Sequence, residues 1–116
     1  MAFLQQGRLA DAERICAELL QRAPKHFGAL HLPGAIAFQT GFPEKAVTFF
    51  SKAIAVNPDA PQAYYNRGIA LQALERFQEA LVSYNKAIGL KPNHAEAYSN
   101  RGIVLGALRR LQDALL

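Results

Sequence analysis

Tyr64-Tyr65-Asn66-Arg67-Gly68-Ile69 stands in the middle of this chain and returns as Tyr98-Ser99-Asn100-Arg101-Gly102-Ile103, 34 positions later. The likeness runs well past the six residues. Laid over one another, 61–82 and 95–116 share thirteen identical pairs, from Ala63/Ala97 and Tyr64/Tyr98 through Leu71/Leu105 to Ala80/Ala114 and Leu81/Leu115. Identity of that density at a fixed period marks an internal repeat. Within 61–94, Tyr64, Gly68, Leu71 and Leu74 fall on one stripe at three- and four-residue steps. After a break, Ala80, Leu81, Tyr84, Ala87 and Ile88 do the same, which predicts two antiparallel helices joined by a tight turn.

The punctuation agrees. Helix formers dominate between Pro24, Gly41-Phe42-Pro43, Asn57-Pro58 and Lys91-Pro92. Pro92 cannot extend a helical ladder and pushes Lys91 out of the α region, so the second helix ends there. Gly68 and Ala80 are small where a large side chain would hold two helices apart, Ala87 admits the following unit, and Tyr64, Leu71 and Tyr84 fill the space around them. A helix pair this short buries little by itself and relies on stacking against its neighbours.

Tyr64-x2-Arg67-Gly68-x2-Leu71, Ala80-x3-Tyr84, Ala87 and Pro92 resemble the signature of the tetratricopeptide repeat, a unit of 34 residues. The register accounts for the whole chain as one domain: 1–26 as the last part of a repeat, with Phe3, Gly7, Ala12, Cys16 and Pro24; 27–60 and 61–94 as full repeats; and 95–116 as a repeat that stops early in its second helix. The resemblance implies an all-α, right-handed α-solenoid of antiparallel helix pairs, here a fragment with uncapped ends and a remnant helix before Gly7. Two departures stand out. Pro33 occupies the interior of the helix expected over 27–40, where it deletes the hydrogen bond to the Ala29 carbonyl and predicts a kink, whereas Pro43 falls in a first turn that tolerates it. Arg67 and Arg101 replace the leucine of the family, so their stems are expected to pack between helices while their heads reach water or an acidic neighbour.

Composition narrows the function classes. A chain of 116 residues that is 51% hydrophobic can fill a core, yet no apolar run approaches the about 20 residues of a membrane span, and nothing at the N-terminus reads as a signal peptide. One cysteine cannot form an internal disulfide, which together with the missing leader suggests a cytoplasmic protein. The net charge of +4 is interspersed, with no basic block, so nucleic acid is not an expected partner; Arg8, Arg76 and Arg110 share one register at a rim, but the groove face itself carries no lysine or arginine. Catalysis needs converging groups, and none is apparent. His26 and His94 read as turn or surface residues, His31 is too isolated for a metal pair, Cys16 aligns with Phe50 and Tyr84 as a small buried hydrophobe, and the carboxylates follow solvated faces. Gly34, Gly68 and Gly102 recur once per repeat and read as helix-packing contacts, not as a phosphate loop. No cofactor, metal or catalytic residue is expected, and the chain reads as no enzyme.

What remains is recognition by a surface. The resemblance implies that first helices line a concave face, onto which register carries His31 and Phe38, then Gln62, Tyr65, Asn66, Ile69 and Gln72, then Ser99, Asn100 and Ile103. The lysine and arginine clamp by which some members grip a terminal carboxylate is absent. Asn66 and Asn100 instead match the asparagine ladder of O-linked N-acetylglucosamine transferases, which Leu32 interrupts one repeat earlier. An amide both donates and accepts, so a column of amides can read the backbone of an extended peptide. The expectation is a protein–protein interaction scaffold binding an extended peptide or a helix; the alternatives are a structural module stacking head to tail into homo-oligomers, or the repeat part of a larger glycosyltransferase-type enzyme. Replacing Pro33 by leucine restores one backbone donor, so the Pro33→Leu variant is expected to melt at higher temperature, within the about 3 kcal/mol that an interior proline costs; a thermal melt followed by circular dichroism checks it.

Overall fold

In a computed structural model of the protein, residues 2–115 are described, with side chains from Gln6 onward, and they form six helices and no strand. In chain order these are α1 (Ala2–Arg22), α2 (Phe27–Gln39), α3 (Pro43–Val56), α4 (Pro61–Ala73), α5 (Phe77–Leu90) and α6 (Ala95–Leu115). They divide into two compact units, Met1–Pro58 and Asp59–Leu116. The all-α, helix-pair class expected from the sequence is the class observed.

In the first unit α2 packs on α3 and α1 packs on α2. The core is made of Cys16, Ala29, Leu30, Ile36, Ala37, Ala46, Phe50, Ala53 and Ile54, all buried. Pro33 is buried inside α2, which runs as one helix across it. Between α2 and α3 the chain reverses at Gly41, whose φ of 92° is left-handed and costs glycine nothing. The Thr40 hydroxyl donates to the Ile36 carbonyl at 2.8 Å, satisfying one of the last acceptors of α2, and Pro43 opens α3 in its first turn.

The second unit repeats this plan and extends it. α4 packs on α5, and α6 packs on α5 and touches α4. Ala63, Tyr64, Gly68 and Leu71 of α4 meet Ala80, Tyr84 and Ala87 of α5, and all of these are buried. The close approach is made at glycine in both units. A Cβ built on Gly34 would lie 2.7 Å from Phe50 Cε1, and one on Gly68 would lie 2.6 Å from Tyr84 Cε1. No real side chain tolerates such a distance, so only glycine lets the ring lie flat on the helix.

Two sequence expectations are corrected here. α6 does not stop and turn at Arg109, although Gly41, Glu75 and Arg109 share one register and the first two turn. Glu75 adopts a φ of 57°, which costs a non-glycine residue roughly 1 kcal/mol. That cost is met because α5 follows and packs back on α4. Continuing the helix keeps every ladder bond and avoids the left-handed residue. Gly102, in turn, is no packing contact: a Cβ there would meet nothing within 4 Å. Its equivalence to Gly68 is one of sequence alone, because no helix lies over it.

The two glycines therefore predict opposite outcomes for the same substitution. Gly68→Ala is expected to lower stability by about 2 kcal/mol or more through the displaced Tyr84 ring. Gly102→Ala is expected to raise it by up to about 1 kcal/mol from helix propensity alone. Parallel urea titrations of the two variants measure the difference.

Candidate functional site

Register places Asn66 on α4 and Asn100 on α6, and the structure gives both half-buried side chains with defined partners. Gln62, one turn earlier on α4, donates from Nε2 to Asn66 Oδ1 at 3.1 Å. Asn100 donates from Nδ2 to the Tyr65 hydroxyl at 3.0 Å, across the 35 residues between α6 and α4. Tyr65, the neighbour of Asn66 in sequence, is thus the α4 partner of the Asn100 amide. Its ring is buried, 4.7 Å from the His94 ring and 6.0 Å from the Tyr84 ring, and only its hydroxyl reaches the asparagine. Burial raises the Tyr65 pKa, the Glu96 carboxylate adds to the shift as hydrogen-bond acceptor and as charge, and Asn100 opposes it. The phenol is held neutral and able to act as both donor and acceptor.

The other expected groove residues divide by exposure. Gln62, Ser99 and Ile103 are exposed, while Ile69 and Gln72 are half-buried. Gln72 also accepts a 2.7 Å hydrogen bond from the Tyr84 hydroxyl, whose pKa burial pushes up, with Tyr65 adding to it. In the first unit Phe38 is exposed, and His31 is half-buried between Phe27, at 5.4 Å and nearly parallel, and Phe50, at 5.2 Å. Burial between those rings lowers the His31 pKa from its ordinary 6.5.

One assignment made from sequence changes. His94 is no surface residue: it is 6% exposed, its Nδ1 accepts the Ala97 N–H at 3.4 Å, and it caps the start of α6. His26 caps α2 in the same way through Ala29 at 3.0 Å. The register 26/60/94 held the signal, but histidine is not among the usual caps, and Ala60 between them makes no side-chain cap. Arg67 is half-buried, and the Glu79 carboxylate favours its charged form. Its Nε donates to Ser83 Oγ on α5 at 3.0 Å and its guanidinium lies 5.4 Å from the centre of the Tyr64 ring. Arg101 stacks on Tyr98 in the same way, at 5.0 Å, but donates to Asn85 at 2.9 Å.

Cys16 is buried, and that burial, with the Glu13 charge second, raises its pKa and quenches the thiolate. Among the described residues no three His, Cys, Asp or Glu side chains gather as a metal would require. Among the described residues no helix is long and apolar enough to cross a membrane. A hollow of about 290 Å³ opens between the α4–α5 turn and the late part of α6, lined by Arg76, Phe77, Leu108 and Leu111, apart from the asparagines. What this surface offers is hydrogen-bonding amides on the helices of a helical-repeat protein.

Two family models match, the tetratricopeptide repeat over residues 61–94 and the TPR repeat over 34–75. The chain belongs to the tetratricopeptide repeat family. The UDP-N-acetylglucosamine–peptide N-acetylglucosaminyltransferase of Caenorhabditis elegans is 34% identical over 76 residues, which cover 66% of this chain and 7% of the transferase. A mutant O-GlcNAc transferase of Thermobaculum terrenum superposes with a TM-score of 0.77 at 31% identity, over 85% of this chain and 19% of that one. The TPR domain of Arabidopsis OM64 superposes with a TM-score of 0.70 at 30% identity, over 76% of this chain and 73% of that one. The chain spans only a small part of the transferases it resembles.

The depressed pKa of His31 fixes the sign of a pH effect. The unfolded chain takes a proton near pH 6.5 and the folded chain resists it, so stability falls as pH drops below 6.5 and levels off only beneath the folded value. Replacing His31 by glutamine is expected to flatten that part of the melting-temperature profile between pH 7.5 and 5, as read from thermal melts of both proteins.

Proposed function

We propose that this chain is a non-enzymatic interaction module that holds an extended peptide across the faces of α4 and α6. The observation that carries this reading is the pair Asn66 and Asn100, equivalent in the repeat and oriented by Gln62 and the Tyr65 hydroxyl. Amides fixed in this way lose little entropy on binding and can address a peptide N–H and carbonyl in turn, while Ile69 and Ile103 offer apolar contact beside them. The same reading makes the chain one array of two full repeats, 27–60 and 61–94, flanked by partial ones, with a protein partner in the cytoplasm and no role for nucleic acid, lipid or cofactor.

A second reading is favoured by the similarity to two O-GlcNAc transferases: the chain serves as the substrate-recruiting repeat segment of a larger glycosyltransferase-type protein. Both readings use the same asparagines.

A binder selected from a library of extended peptides is expected to lose about 2 kcal/mol, roughly thirtyfold in affinity, in the double variant Asn66→Ala with Asn100→Ala, because two hydrogen bonds at about 1 kcal/mol each are removed. Helicity should stay close to the parent's, and melting should fall only by what the Asn100–Tyr65 bond contributes. Calorimetry on both proteins decides it, and unchanged affinity in the double variant removes the asparagines from the reading.

A further inference from the structure

Three charged residues stand on α4 and on 95–107 of α6: Arg67, Glu96 and Arg101. The two arginines turn to α5. Arg67 Nε donates to Ser83 Oγ at 3.0 Å and Arg101 Nη1 donates to Asn85 Oδ1 at 2.9 Å, each with its guanidinium over the tyrosine three residues before it. Glu96 goes instead to α4. It is exposed, and its carboxylate accepts from the Tyr65 hydroxyl, the same group to which Asn100 donates at 3.0 Å. Amide, phenol and carboxylate thus form one chain of hydrogen bonds in which each polarises the next. None of the ion pairs among the described residues includes Glu96. Nor does the fold require an acid at this place. The dipole at a helix start favours one, yet α2 and α4 carry none in the first turn, with Gly28 and Gln62 at the register of Glu96.

We propose, resting on the peptide-binding reading above, that the peptide held by Asn66 and Asn100 carries a lysine or arginine whose cation pairs with the Glu96 carboxylate. With both arginines drawn to α5, the charge that remains beside the two amides is negative, in a chain whose net charge is +4. An acidic peptide meets that carboxylate as a like charge, and a neutral one gains nothing from it. An ammonium or guanidinium group donates to the oxygen lone pairs that the Tyr65 hydroxyl leaves unused. Tyr65 also fixes the spacing, because it binds both Glu96 and Asn100. These two lie one turn apart on α6, about 6 Å along the axis, and an extended chain rises about 3.3 Å per residue. The basic residue therefore falls within about two positions of the peptide group that Asn100 bonds. The amides supply grip on any extended backbone, and Glu96 supplies the choice among sequences.

A library of random short peptides, with basic and acidic residues equally represented, is panned on the full chain. The retained sequences are expected to hold lysine or arginine about fivefold over aspartate or glutamate near one position. A retained lysine peptide and its glutamine version are then titrated by calorimetry against the parent and against Glu96→Gln. That variant keeps an acceptor for the Tyr65 hydroxyl and removes the charge, so helicity is expected to stay and the preference for lysine, about fivefold at the upper end of an exposed ion pair, to vanish. On the parent the same preference is expected to shrink as salt is raised. Retained peptides without basic enrichment overturn the proposal, as does a lysine preference that Glu96→Gln leaves intact. The asparagines separate this inference from the reading beneath it. If Asn66→Ala with Asn100→Ala weakens every retained peptide while Glu96→Gln changes nothing, peptide binding stands and Glu96 has no part in it. If the double variant binds as the parent does, or the library yields no binder, the peptide reading falls and takes Glu96 with it.

Discussion

An aromatic ring laid against bare helix backbone is the contact on which each unit depends. Phe50 over Gly34 and Tyr84 over Gly68 bring paired helices to a distance that any Cβ would forbid. Everything else in the pair is arranged around that approach. Ala80 and Ala87 are small because the second helix is already close, Tyr64 and Leu71 are large because they fill the flanks, and all four are buried. The tyrosine in the second unit adds a polar hold that phenylalanine lacks, through its hydroxyl to Gln72. The Arg67 guanidinium adds another by bonding Ser83, so the α4–α5 pair carries hydrogen bonds between side chains within an apolar seam.

The register 7/41/75/109 shows how far the turn is from being a local decision. Gly7 and Arg109 are helical, whereas Gly41 and Glu75 are left-handed. Residue type does not sort these four, since each pair holds one glycine and one charged residue. What separates them is the helix on either side. A left-handed residue costs roughly 1 kcal/mol without glycine, and the burial of a whole helix face against its neighbour outweighs it.

The same logic marks what was legible in the sequence. The helix pairs, the buried stripes, Pro43 as a helix opener and the burial of Cys16 follow from spacing and residue size, both of which the chain states directly. Gly102 was misread because an identical residue implies an identical contact only when the neighbouring helix is present. His94 was misread because its burial comes from Tyr65, a residue 29 positions away whose ring the spacing alone does not orient. The partner of Arg67 lies 16 residues on, across a turn, and a hydroxyl in that place looks like any other serine until the two helices are packed. At the candidate site, register puts both asparagines at equivalent positions of α4 and α6. It did not find the Tyr65 hydroxyl that joins one to the other helix, since that bond exists only after α4 and α6 meet.

Tyr65 sits at the crossing of these contacts. Its ring touches the cap of α6 at His94 and the core of α5 at Tyr84, and its hydroxyl takes the amide of Asn100. One side chain of α4 is therefore shared by the beginnings and middles of two other helices. Neither α5 nor α6 can lift away without opening the contact by which α4 holds the other, so local fraying is suppressed in the interior of the unit. The face that carries Asn66 and Asn100 is backed by a body that opens all at once or not at all.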